Sequence, residues 1–205
     1  DFNNDIRNSN YNFVRTYTYN DAGKPAYYGK TISTEAPPPG VTVPRREFYA
    51  YQSKCTTPGK HPDALFQDKS KLLLTASAGG TYTDQYMFRL AETYLIRAEA
   101  YLGAGNPTNA AADINVVRSR SNASPVVPAN VNINYILDER MRELGVEEKR
   151  RLTLARLGLV YDRTVNVAQN PVAANIKPYH NLWPVPQTEI DRNKDAKLAQ
   201  NPGYQ

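Results

Sequence analysis

The sequence predicts a mainly α protein in which paired helices follow a Tyr-rich segment of short strands and long loops. Three observations carry that expectation. A helical repeat of apolar residues begins at Tyr86, a two-residue alternation marks residues 11–20, and a Pro-rich run lies between them. With 205 residues and 40% apolar composition, the chain is long enough to bury a core. The expected organisation is a Tyr-rich segment over 1–85 and one compact helical region over 86–205. The opening DFNNDIRNSN has no Met, which reads as a cut from something longer.

In YNFVRTYTYND, residues Tyr11, Phe13, Arg15, Tyr17 and Tyr19 alternate with Asn12, Val14, Thr16, Thr18 and Asn20, the period of a strand with one aromatic face. DAGK then turns the chain. APPPGVTVP at 36–44 is too rich in Pro for a helix and reads as an extended connector. REFYAYQ offers a second strand pattern and GGTYTDQ at 79–85 a third.

From Tyr86 the period becomes helical. Met87, Leu90, Ala91, Tyr94, Leu95, Ala98, Tyr101 and Leu102 form a stripe that Gly103 and Gly105 end. Asn106 is an N-cap with Pro107 at the first helical position, opening a second helix through Ala110, Ala111, Ile114 and Val117 to about Ser121. So short a loop predicts an antiparallel helix pair. Ala98, Tyr101, Ala110 and Val117 fit the small and aromatic positions of a tetratricopeptide repeat, and because about three such repeats are needed for a continuous core, this pair has to pack on something else. A further stripe, Ile133, Ile136, Leu137, Met141 and Leu144, ends at Gly145. Another segment runs from Glu147 to Gly158, and a short helix begins near Thr188. The final Asn-Pro-Gly-Tyr suits a type II turn with Tyr204 packed back.

Composition excludes several functions. The net charge of +5 comes without any run of five or six basic residues, and the densest charged stretch, DERMRELGVEEKRR at 138–151, is neutral, which argues against a nucleic-acid stripe. No apolar run reaches the 18 residues of a membrane span. The single Cys55 reads as a small packed side chain. His61 and His180 lie in no metal-ligand spacing, and neither a phosphate loop nor a Gly-x-Ser-x-Gly elbow occurs. No cofactor is expected.

MFRLAETYLIRAEAYLGAGNPTNAAADINVVRSRS, ILDERMRELGVEEKRRLTLARLG, LWPVPQTEIDRN and QNPGY, in that order, resemble the C-terminal half of the SusD/RagB family of outer-membrane nutrient-binding lipoproteins. The resemblance implies a SusD-like fold, mainly helical, with tetratricopeptide-like units that carry irregular glycan-binding loops. It implies a surface-exposed, non-enzymatic protein that captures an oligosaccharide or other nutrient and passes it to a SusC-like TonB-dependent transporter. It also implies an N-terminal lipidated Cys as the outer-membrane anchor, which mid-chain Cys55 is not. In this setting QNPGY reads as a natural C-terminus. The competing readings are a helical-repeat scaffold for a protein or peptide, and a glycoside hydrolase module.

Sugar binding needs flat aromatic faces with amides or carboxylates nearby. Tyr27 and Tyr28 beside a Gly-flanked turn, Tyr49 and Tyr51 on one strand face, and Tyr82 ahead of the first helix are the candidate ligand contacts. The best enzyme-like pair, Glu92 and Glu99, stands about 10.5 Å apart along one helix, slightly beyond the roughly 5 to 9.5 Å of a glycosidase pair. Both read as ion-pairing groups of the scaffold, Glu92 with Arg89 one turn away. Arg118, Glu139, Arg140 and Glu143 read likewise as structural. Glu139, Arg140, Glu143, Arg150 and Arg151 have the composition of a substrate clamp, but their alternating signs favour a solvated face or inter-helix salt bridges. Trp183, between Leu and Pro, reads as an anchor for the C-terminal segment.

Overall fold

The computed structural model describes residues 4–19, 22–33, 37, 40–42, 50–54, 59–78, 84–167 and 173–204. Tyr49, Tyr82 and Cys55 lie outside the described residues, as do most of the strand expectations over 46–52 and 79–85, and only the backbone of Tyr51 is described. Helix accounts for 46% of the described residues against 8% for strand, which settles the class as mainly α. The chain divides into two compact units, Asp1–Glu148 and Lys149–Gln205.

The first unit opens with short antiparallel pairs. The strand expected over 11–20 is two strands, β1 (Phe13–Val14) and β2 (Thr16–Thr18), separated at Arg15. Arg15 turns its guanidinium back to the Asn8 carbonyl and to the side chains of Asn8 and Asn10, so local hydrogen bonding competes with a continuous ladder. β2 pairs with β3 (Thr31–Ser33), Tyr17 opposite Ile32, while β1 pairs with β4 (Tyr51–Gln52). A third pair joins β5 (Phe66–Asp68) to β6 (Leu73–Leu74).

Three helices form the core of this unit. α1 (Leu90–Gly103) starts four residues later than the apolar period predicts. Arg89 stays extended at φ −148° and ψ 153° because its guanidinium reaches Glu143 and Glu147, which holds Tyr86, Met87 and Phe88 outside the helix. α2 (Pro107–Arg120) is capped by Asn106, whose side chain accepts the Asn109 N–H at 3.1 Å. α3 (Ile133–Leu144) begins the same way, Asn132 accepting from the Tyr135 N–H. Ala98 and Ala110 are fully buried, so the first two helices approach through small residues, and Leu95, Ile114 and Ile136 fill the space beside them. Each of these three larger side chains contributes roughly 1.5–3 kcal/mol by leaving water.

The second unit holds α4 (Arg150–Arg156), α5 (Val160–Asp162) continuing as a π turn over Arg163–Val167, and α6 (Gln187–Arg192). Its last residues make the turn that the Pro-Gly pair dictates: the Tyr204 N–H reaches the Asn201 carbonyl at 3.2 Å, and Gly203 sits at φ +91°. Only Gly fits, since a Cβ there would lie 2.5 Å from the Tyr179 ring. The Tyr204 hydroxyl donates to the Leu182 carbonyl at 2.9 Å, and its ring meets Tyr179 edge-on at 5.0 Å.

Candidate functional site

The most connected set of side chains in the first unit is a buried ion-pair network. Glu139 and Glu143 lie one turn apart on α3, on the same stripe as Ile136, and neither is exposed to solvent. Glu143 accepts from Arg89 at 2.7 Å and Arg120 at 2.5 Å through one oxygen, and from Arg7 at 2.9 Å through the other. Glu139 accepts from Arg118 at 2.7 Å and Arg142 at 2.9 Å, with Arg7 2.9 Å from its second oxygen. Arg7 is therefore shared by both carboxylates, and Asp5 holds it in place with hydrogen bonds of 2.9 and 2.6 Å. Glu147 closes the network by pairing with Arg89 and Lys54, while the Glu143 carbonyl accepts from the same two side chains.

Burying two carboxylates costs several kcal/mol each unless the charge is compensated. Here the compensation fixes their chemistry. Burial pushes the Glu143 carboxyl up, but hydrogen bonds and charge from Arg89, Arg120 and Arg7 outweigh it and hold the group below its usual range. Asp5 is lowered in the same way, its burial outweighed by Arg7. Arg7 and Arg89 are raised despite burial, each by the carboxylates it contacts. A general acid needs a proton to give near neutral pH, so a carboxyl held this low is a structural anion.

The sequence places Arg89, Arg118, Glu139, Arg140 and Glu143 in structural roles, and the structure puts four of them in this network. Arg140 forms its own pairs, with Glu148 at 2.5 Å and Glu92 at 3.1 Å. Glu92 thus pairs across to α3 and not with Arg89 along its own helix, because Arg89 precedes the helix and is drawn to Glu143. Glu99 stays half-buried on α1. Of the two arrangements expected from the alternating signs, a solvated face or inter-helix salt bridges, Glu139 and Glu143 take the second and are buried in it, because their cations arrive from other segments. Sequence reasoning missed Asp5, Arg7, Lys54, Arg120, Arg142 and Glu147. Asp5 and Arg7 sit in a polar stretch with no periodic signal, and the Arg7 partners on α3 lie more than 130 residues away.

Of the candidate ligand tyrosines, Tyr27 and Tyr28 share one turn closing the β2–β3 hairpin, both N–H groups donating to the Lys24 carbonyl. Tyr27 packs edge-on against Tyr19 at 5.8 Å, whereas Tyr28 is 51% exposed and presents a free aromatic surface. Tyr11 is more exposed still, at 93%. In the second unit, Trp183 carries the Arg151 guanidinium over its ring at 4.3 Å, and its carbonyl accepts from Asn201. Among the described residues no group of three or more His, Cys, Asp or Glu could hold a metal ion. No helix among them is long and apolar enough to cross a membrane.

The model of the SusD family, SusD_RagB, matches residues 1–204. The chain belongs to the SusD family. Among curated relatives of this SusD-family chain, the starch-binding protein SusD of Bacteroides thetaiotaomicron is 36% identical over 125 residues, which is 60% of this chain and 22% of that protein. The SusD-like protein P25 of Formosa agariphila is 33% identical over 118 residues, 54% of this chain and 22% of its own length. The chain thus spans under a quarter of the relatives it matches. A solved structure, BT4246, aligns at a TM-score of 0.46 and 24% identity, covering 65% of this chain and 26% of that one.

Proposed function

We propose that this chain belongs to a protein that captures glycan at the cell surface without altering it chemically. The protein then passes the oligosaccharide to a SusC-like TonB-dependent outer-membrane transporter. The whole protein sits at the outer membrane through an N-terminal lipid anchor. The observation that carries this reading is kinship: the family match over residues 1–204, together with 36% identity to a protein named for binding starch. The chemistry of the chain supports it. Exposed Tyr28 and Tyr11 offer the amphipathic rings that stack on the C–H face of a pyranose. Glu139 and Glu143 have their oxygens committed to guanidinium groups and are withdrawn from water, which suits a scaffold and not hydrolysis.

Affinity electrophoresis through gels cast with starch and other polysaccharides tests this. The expected result is retardation by at least one polymer whose length is unchanged afterwards. Migration unaffected by every polymer tested contradicts glycan capture, and release of reducing sugar contradicts a non-enzymatic role.

A further inference from the structure

The break between β1 and β2 opens a notch in the first unit. One ladder pairs Phe13–Val14 with Tyr51–Gln52 and the next pairs Thr16–Thr18 with Thr31–Ser33, and Arg15 joins them without belonging to either. The space at this joint has a volume of about 490 Å³, inside the roughly 300–1,000 Å³ of small-molecule sites. Asn10, Phe13, Val14, Arg15, Thr16 and Ser33 line it. Four of these six side chains carry hydrogen-bonding groups, one is an aromatic ring, and none is a carboxylate.

Local bonds direct the polar groups. Arg15 donates to the Asn10 side-chain oxygen at 3.0 Å, to the Asn8 side-chain oxygen at 2.6 Å and to the Asn8 carbonyl at 3.1 Å, and its guanidinium lies over the Phe13 ring at 5.3 Å. With its oxygen engaged, the exposed Asn10 side chain keeps two amide N–H donors for a ligand. Thr16 is exposed too, and its hydroxyl can both donate and accept. Tyr11, next to Asn10 in the chain, is an independent feature. The Asn12 and Phe13 N–H groups both donate to the Ser9 carbonyl at 3.0 Å, and the Tyr11 carbonyl accepts from the Ser53 hydroxyl at 2.8 Å. The main chain around Tyr11 is therefore fixed while its ring stays 93% exposed, so the ring is presented to a ligand with little further ordering.

We propose that this notch is a subsite for a neutral glycan, in which Asn10 and Thr16 hydrogen-bond the hydroxyls of one pyranose and the Tyr11 ring stacks on the C–H face of the adjoining sugar. The lining selects this class. An apolar ligand leaves four polar side chains without hydrogen bonds, and an anion is best held by several cations, of which the lining has one, already directed at Asn8 and Asn10. With no carboxylate in the lining, neither an acid nor a base flanks a glycosidic bond seated there, so the sugar leaves as it arrived. The inference rests on the glycan reading and adds a place to it, the 10–16 segment, apart from Tyr28 on the β2–β3 turn.

The test titrates the 205-residue chain with maltoheptaose, cellohexaose, xylohexaose and mannohexaose, read by calorimetry and by NMR of backbone amides. With at least one of them, saturable shifts over residues 10–16 and at Ser33 are expected. Tyr11→Ala removes the stacking ring and Thr16→Val one hydroxyl at constant shape, and each weakens that sugar about two- to tenfold. Both side chains are exposed, so both variants melt at the wild-type temperature, which separates a lost contact from a lost fold. A sugar that binds with its shifts elsewhere, or with wild-type affinity in either variant, overturns this inference and leaves the glycan reading standing. Saturable binding of none of the four sugars counts against the glycan reading itself, and the subsite falls with it.

Discussion

Replacing Glu143 with Gln preserves volume and changes one oxygen into an amide that points a donor at guanidinium donors. Glu143 is fully buried and accepts from Arg7, Arg89 and Arg120. Hydrogen bonds to charged groups contribute roughly 1.5–3 kcal/mol each, so three of them sum to about 4.5–9 kcal/mol if they were independent. They are not independent. The Arg120 side chain is 61% exposed and recovers its bond from water, and the Gln amide oxygen still accepts from one cation. The bonds from Lys54 and Arg89 to the Glu143 carbonyl survive, being to main chain. What remains is the cost of uncompensated buried cations, about 3–5 kcal/mol. In a chain of this size that lowers the melting temperature by roughly 6–20 °C. Urea and thermal unfolding followed by far-UV circular dichroism measure it. A loss below about 1 kcal/mol, the scale of an exposed pair, refutes the claim that the network is a buried keystone.

Acid should act through the same residue. The Glu143 pKa is lower folded than the 4.5 of a free carboxyl, so its stabilisation is complete above that value and lost as pH falls through the folded-state pKa. Urea midpoints measured downward from neutral pH should drop below about pH 4.5, and Glu143→Gln should flatten that acid limb. Gly203→Ala places a side chain at positive φ against the Tyr179 ring and should cost about 1–3 kcal/mol. Thermal melts check it, and an unchanged midpoint counts against the built turn. Trp183 is the single Trp, so its emission reports on Arg151. Arg151→Ala should shift the emission spectrum and destabilise by about 0.5–1 kcal/mol, the range of a cation–π contact on a half-exposed ring.

Local features were legible in the sequence because their causes are local. The stripe from Leu90 to Leu102, the Asn106–Pro107 cap and the Pro202–Gly203 turn each follow from residues within a few positions of one another. The start of α1 was misread by four residues because what holds Arg89 extended, Glu143 and Glu147, lies more than fifty residues away. The network was half legible. Glu139, Glu143 and Glu147 stand in a conspicuous charged segment, but the compensation of their charge depends on Asp5, Arg7 and Lys54, which no periodicity links to α3. Long-range pairing leaves no mark in a single sequence, and alternating charge looks the same on a wet helix face as in a neutralised core.

Calorimetric titration of the chain with neutral oligosaccharides, with the ligand recovered and sized afterwards, tests the central claim most directly. The account predicts saturable binding of at least one glycan, weakened in Tyr28→Ala, with every recovered molecule intact. Heats that match dilution for every sugar tested, or a recovered ligand that is shorter, would contradict it.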